Sequence, residues 1–156
     1  METVTIGQRV RLHSEVPGED REIIVKLPDT YGTTEQRYPI IFMLDANYTI
    51  FFANDVLSVG FIRWLNRIPE LIVVGVLNTD RDRDMIPIYL EERKTGGGSD
   101  RFLRFITDEL RPFLDANYRA TGYHVLYGAS NAGLFTVYAL LSRPGFFAAG
   151  IASSPM

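Results

Sequence analysis

Tyr123-His124-Val125-Leu126-Tyr127-Gly128-Ala129-Ser130-Asn131-Ala132-Gly133 is the stretch that decides the fold. An apolar, β-type run passes through small-x-Ser-x-small directly into a helical pattern. That order predicts a nucleophile elbow, a tight and strained turn that lifts a serine hydroxyl above the end of a sheet. Strand and helix backbones cross closely there, so small residues are needed two positions either side of the serine. Gly128 and Ala132 meet that need.

Upstream of the elbow, Pro39 to Leu44 and Leu71 to Leu77 are uninterrupted apolar runs, the kind of strand buried on both faces of a parallel sheet. Nearer the amino terminus, Val4 to Leu12 sets Val4, Ile6, Val10 and Leu12 on one alternating face. Glu22 to Leu27 forms a second strand, and Pro17-Gly18 turns the chain between the two. Ile50 to Leu65 predicts a helix with Phe51, Val56, Val59, Ile62 and Leu65 on a broad apolar side. Asn78 to Gly98 reads as a long surface loop, with the alternating charges Asp80-Arg81-Asp82-Arg83-Asp84, Pro87 and Gly96 to Gly98. Ser99 or Asp100 caps the next helix, whose apolar face carries Phe102, Phe105, Ile106, Leu110 and Phe113 and which Pro112 kinks or ends.

Downstream of the elbow, Asn131 to Leu141 is apolar nearly all round, which predicts a buried helix. A final strand runs from about Phe147 to Ala152. Counted this way there are six strands, with Ser130 after the fifth. Buried-type strands alternating with helices predict an α/β fold with a mostly parallel sheet and right-handed crossovers. At 156 residues, 1–156 is expected to be a single domain.

Composition narrows the chemistry. The chain has 16 Lys plus Arg against 19 Asp plus Glu, a net charge of -3, which speaks against nucleic-acid binding and against an anionic membrane surface. Cysteine is absent, so disulfides, thiolate catalysis and Cys-ligated metals are excluded. The two histidines, His13 and His124, lie far apart in sequence and give no metal-ligand spacing. No cofactor is implied. Gly96 to Gly98 is not a phosphate loop, since it follows Lys94-Thr95 rather than a strand and no Gly-Lys-Ser/Thr comes after it. The start lacks the basic and long apolar regions of a secretory signal, and no apolar run approaches the roughly 18 residues of a membrane span. The expectation is cytoplasmic.

A series of landmarks runs through the chain: Val25-Lys26-Leu27-Pro28-Asp29 with Tyr31, Tyr38-Pro39-Ile40-Ile41-Phe42-Met43-Leu44-Asp45, and Gly97-Gly98-Ser99-Asp100-Arg101-Phe102-Leu103. Glu109-Leu110-Arg111-Pro112-Phe113, Gly128-x-Ser130 and Ser153-Ser154-Pro155 continue the series. In these the chain resembles the esterase family of α/β-hydrolases that includes esterase D-like and enterochelin esterase-like enzymes. The resemblance implies that Ser130 is the nucleophile and that the turn Asp45-Ala46-Asn47 helps form an oxyanion hole. The family's Gly-His-Ser-x-Gly-Gly reads Gly128-Ala129-Ser130-Asn131-Ala132-Gly133 here. Its last two strands, with the catalytic acid and histidine, have no counterpart within 1–156. The expected architecture is therefore an α/β-hydrolase-type sheet lacking its C-terminal strands.

The chemistry expected is hydrolysis of a small-molecule carboxylic ester through an acyl-enzyme on Ser130. Serine needs an adjacent base to take its proton. The developing oxyanion needs preorganised donors, worth about 3–4 kcal/mol each in subtilisin. Those expected here are the backbone N–H of Asn131 and one from Ala46 or Asn47. His124 lies within the strand leading to Ser130, too far back to reach the hydroxyl at about 2.6–3.2 Å; His13 is expected at the far edge of the sheet. The chain by itself is thus expected to be nearly inactive.

Asp45 either orients the oxyanion turn or caps the helix after it. Asp45 and Arg83 are candidate substrate-binding residues at the carboxyl edge of the sheet, where such sheets bind ligands; a solvated charged loop is the other reading of Arg81, Arg83 and Asp84. Two further functions stay open: a non-catalytic, self-associating module whose sixth-strand edge recruits another copy, and an acyltransferase using the same serine.

Overall fold

The computed structural model describes residues 5–156, so Val4 lies outside the described residues. Gln8–Ser14 (β1) and Glu19–Lys26 (β2) form an antiparallel hairpin, with Gln8 opposite Val25. Gly18, at φ 69°, turns it. Tyr38–Met43 (β3) leads into the helix Thr49–Trp64 (α1), and Ile72–Val76 (β4) follows.

The stretch expected to be a surface loop is built instead. It holds a short helix, Arg81–Met85 (α2), and a two-stranded ribbon of Tyr89–Leu90 (β5) and Thr95–Gly96 (β6). Asp80 begins α2 by accepting the Arg83 N–H at 3.1 Å, and Asp84 and Met85 at its other end are buried. Alternating charge conceals this helix, because the residues that anchor it include a buried ion.

Ser99–Arg104 (α3), a π-helical stretch Phe105–Leu110, and Arg111–Asn117 (α4) make one continuous rod. Pro112 neither ends it nor stands at its centre; it occupies the first turn of α4. A proline ring clashes with the carbonyl four residues back and offers no N–H. The wider turn ahead of it, where the Arg111 N–H reaches the Ile106 carbonyl, accommodates that. Neither Ser99 nor Asp100 caps the rod: the capping position is Gly98, with no side-chain bond.

The long strand Ala120–Ala129 (β7), the helix Asn131–Ser142 (α5) and Ala149–Ser153 (β8) complete the fold. Among the described residues the main sheet has six strands in the order β1-β2-β4-β3-β7-β8. β1, β2 and β4 pair antiparallel in turn, while β4, β3, β7 and β8 are parallel. It is a mixed sheet with flanking helices, an α/β-hydrolase-type fold, and Ser130 follows its fifth strand in chain order.

One face carries the larger core, where Phe42, Leu126, Phe102, Phe105, Phe135 and Ala139 interlock. The other is covered by α1, and here the helix is rotated from the expected face. Phe52 and Val56 are buried, whereas Phe51, Ile62 and Leu65 are exposed. Gly75 explains the rotation: a Cβ on it would stand 2.6 Å from the Phe52 ring, so the bare strand receives that ring. α5 is also less enclosed than its composition suggests, since Leu141 is 76% exposed.

Candidate active site

Ser130 stands between β7 and α5 with φ 58° and ψ −125°. A non-glycine residue in such a region costs on the order of 1–3 kcal/mol and persists where its surroundings over-determine it. Two contacts do so. The Ser130 N–H is held by the Ser153 carbonyl on β8 at 2.9 Å, and the Ser130 carbonyl accepts the first helical bond, from Leu134 at 2.9 Å. The crossing beneath is close: a Cβ on Gly128 would meet the Ala132 carbonyl oxygen at 2.3 Å. Small residues at these two positions are therefore a steric requirement.

The hydroxyl of Ser130 makes no hydrogen bond with a described residue, and the serine lines a cavity of about 340 Å³ on the α1 side of the sheet. Asp45, Tyr48 and Phe51 contribute one wall; Asp55, Arg81 and Tyr127 contribute the rest of its polar and aromatic lining. Burial pushes the Asp55 carboxyl above the usual carboxylate range, and burial together with Asp55's charge raises the Tyr127 hydroxyl. The Asp45 carboxylate beside it raises the Arg81 guanidinium further, so Arg81 is a permanent cation here.

Of the expected oxyanion donors, the three are placed differently. Asn131 is the first residue of α5, where backbone N–H groups have no intrahelical acceptor. The Asn47 N–H also has no partner among the described residues. Ala46 differs: its N–H is given to the Val76 carbonyl at 3.2 Å and the residue is buried, so that donor is occupied.

Asp45 does not cap α1, whose first turn has no side-chain cap. Its carboxylate instead accepts the Arg81 guanidinium at two points, 2.8 Å each, and the Asn78 side-chain amide at 2.7 Å. Arg83 lies away from the cavity. Its guanidinium is held by Glu19 at 2.7 Å and Asp84 at 2.7 Å, beside the buried Arg21. Arg81 lines the cavity and Arg83 does not, because residues two apart point to opposite sides of α2. The Asp80 cap was the available signal for that helix.

Neither histidine lines the cavity. His124 is buried on the opposite face of the sheet, stacked on Phe146 with ring centroids 5.4 Å apart, and its Nδ1 meets the Phe146 carbonyl at 3.2 Å. His13 is exposed on β1, paired with Asp20 at 2.8 Å, four strands from the elbow strand. Among the described residues no cluster of three or more His, Cys, Asp or Glu could hold a metal ion, and no helix is long and apolar enough to cross a membrane.

Comparison with known proteins places this geometry. The ferri-bacillibactin esterase BesA of Bacillus subtilis is 30% identical over 96% of this chain and 58% of its own length. An IroE-like serine hydrolase from Shewanella oneidensis superposes with a TM-score of 0.82 at 30% identity, covering 94% of this chain and 49% of that one. The siderophore hydrolase EstB from Aspergillus nidulans shares the fold at a TM-score of 0.81 and 24% identity, over 99% of this chain and 60% of that one. The chain thus spans roughly half to three-fifths of the length of these relatives. Residues 14–156 match the family model described as "Putative esterase", which takes in the elbow, the turn after β3 and the sheet that carries both. The chain belongs to that esterase family.

Proposed function

We propose that this chain carries the nucleophile and oxyanion hole of a serine carboxylic-ester hydrolase. The observation that carries the reading is the strained elbow at Ser130, whose free hydroxyl shares a cavity with the Asp45 turn. Ser130 Oγ attacks the ester carbonyl carbon as its proton passes to a base. The carbonyl oxygen becomes an oxyanion, taken by the N–H groups of Asn131 and Asn47. Collapse of the tetrahedral intermediate expels the alcohol, which takes up a proton, and leaves the acyl group on Ser130; attack by water then releases the acid.

Neither His13 nor His124 supplies the base, and losing the catalytic histidine in subtilisin costs about 2 × 10⁶ in kcat. On this reading residues 1–156 by themselves should turn over an ester only slowly. Relatives named as ferri-bacillibactin and siderophore esterases support an ester within such a ligand as the substrate.

Imidazole in solution can stand in for the absent base. Hydrolysis of p-nitrophenyl butyrate by this chain should rise with imidazole concentration above the imidazole background, and the increment should vanish in Ser130→Ala. Equal rates for the two proteins at every imidazole concentration would remove the reading.

Self-association is a second reading, favoured by β8. Among the described residues that strand has a neighbour on one side only, and Ile151 on it is 51% exposed.

A further inference from the structure

Helix α2 holds adjacent side chains that bond to the two segments proposed to form the oxyanion hole. Arg81 grips the turn after β3 through both oxygens of Asp45, at 2.8 Å each. Asp82, the next residue, accepts the side-chain amide of Asn131 at 3.1 Å, at the head of α5. One short helix is thus tied to both segments whose N–H groups are to meet the oxyanion.

The Arg81 side of this arrangement is reinforced. Asp45 sits at φ 60°, a left-handed value that aspartate tolerates better than most residues, and its bonds to Arg81 and Asn78 hold it there. The Asn78 side chain donates to Asp45 at 2.7 Å, and Asn47 pairs its own side chain with the Asn78 backbone in both directions, through Asn78 N–H and the Asn78 carbonyl. Asn47's side chain is thereby committed to the neighbouring turn, and its backbone N–H is left without a partner. The helix is itself fixed from beneath: buried Asp84 takes buried Arg21 at 2.7 Å, and Met85 is fully enclosed.

We propose that α2 is the spacer of the oxyanion hole, with Arg81 and Asp82 as positioning residues that set the separation between the Asn47 and Asn131 N–H groups. The proposal rests on the reading of Ser130 as nucleophile. Neither side chain needs to touch substrate; each acts through the turn it holds. A planar, two-point grip suits Arg81, because a lysine supplies one charge without the fork.

Arg81→Met, Arg81→Lys and Asp82→Ala are the informative variants, measured at a temperature where thermal melts show each to be folded. The first readout is Ser130-dependent hydrolysis at fixed imidazole, separated into kcat and KM. A donor displaced by about 1 Å costs on the order of 10²-fold in rate. Arg81→Met should lower kcat by about that factor with KM within about twofold, and Arg81→Lys should recover only about a tenth of the loss. The second readout needs no turnover: amide hydrogen exchange at Ala46 and Asn78, whose N–H groups are bonded within the joined turns. It should quicken by about tenfold or more in Arg81→Met as local opening becomes easier, with the Phe42 amide in β3 unchanged.

An unchanged kcat in Arg81→Met, or a loss carried by KM alone, would overturn the spacer role. If the parent shows no Ser130-dependent hydrolysis, the nucleophile reading fails first. Exchange then decides the clamp alone: unchanged rates at Ala46 and Asn78 would end it, and quickened rates there would uphold it.

Discussion

Gly128 lies so close under Ala132 that a Cβ added to it would stand 2.3 Å from the Ala132 carbonyl oxygen. That approach brings the end of β7 against the first turn of α5 and forces Ser130 to positive φ. Gly128→Ala must push the helix away or distort the strand, and overpacking of this kind costs about 1–3 kcal/mol, at times more. Its urea midpoint should fall accordingly, and its Ser130-dependent hydrolysis should fall with it. A variant as stable and as active as the parent would show that the crossing is looser than described.

The buried pair Arg21–Asp84 should matter far more than the surface pair Arg9–Glu22, though the distances are alike at 2.7 and 2.8 Å. Arg21 is enclosed by Phe102 and Phe105, whose ring centroids lie 5.0 and 5.4 Å from its guanidinium carbon. Losing Asp84 leaves buried Arg21 with Glu19 alone, at 2.6 Å, and takes a partner from Arg83 as well; breaking into a buried ion cluster costs up to about 3–5 kcal/mol, whereas an exposed pair is worth about 0–1 kcal/mol. Asp84→Ala should therefore destabilise by several times as much as Glu22→Gln in denaturant titrations. Similar losses for the two would contradict the burial assigned to Arg21.

His124 should make the fold acid-sensitive. Burial holds its imidazole below the ordinary histidine value, so the unfolded chain takes up a proton at a pH where the folded chain does not. Stability is then unimpaired above about pH 6.5 and falls as the pH drops from there toward the folded-state value. His13 acts in the opposite sense, because its hydrogen bond to Asp20 raises it, but it is exposed on the surface. In His124→Phe, beside Phe42 and Phe146, the decline below about pH 6.5 should flatten; an unchanged pH profile would place its cause elsewhere.

The edge of β8 should associate. Ile151 is exposed on it, and the strand's outer backbone groups have no partner strand among the described residues. Sedimentation should show dimers that grow with concentration and that Ile151→Lys weakens. A monomer throughout would remove self-association as a function of this chain.

How far the sequence could be read depended on what each segment's pattern had to encode. β3 and β4 are buried on both faces, so uninterrupted apolar runs announced them within a residue or two. The elbow was legible for a similar reason: Gly128, Ser130 and Ala132 answer to local sterics, and local sterics leave a spacing. α1 was found but rotated, because the face it buries is chosen by a glycine on another strand, Gly75. α2 was missed altogether. Its signal is one capping aspartate inside a charge run, and what holds it down is Arg21, 63 residues away from Asp84 in the chain. The same distance in sequence hid the site's polar frame. Nothing local to Asp45 says that its carboxylate belongs to Arg81, so Arg83 looked equally suited to the cavity.

Acylation of Ser130 can be read by mass spectrometry after incubation with p-nitrophenyl butyrate and imidazole. With His13 and His124 both away from the cavity, water attack on the acyl-enzyme lacks a resident base, whereas p-nitrophenolate leaves without a proton, so the acyl-enzyme should accumulate. One butyryl group should map to Ser130 by fragmentation, and none to the corresponding alanine in Ser130→Ala. A chain that stays unmodified at Ser130, or carries the group only at lysines and tyrosines equally in both proteins, would contradict it.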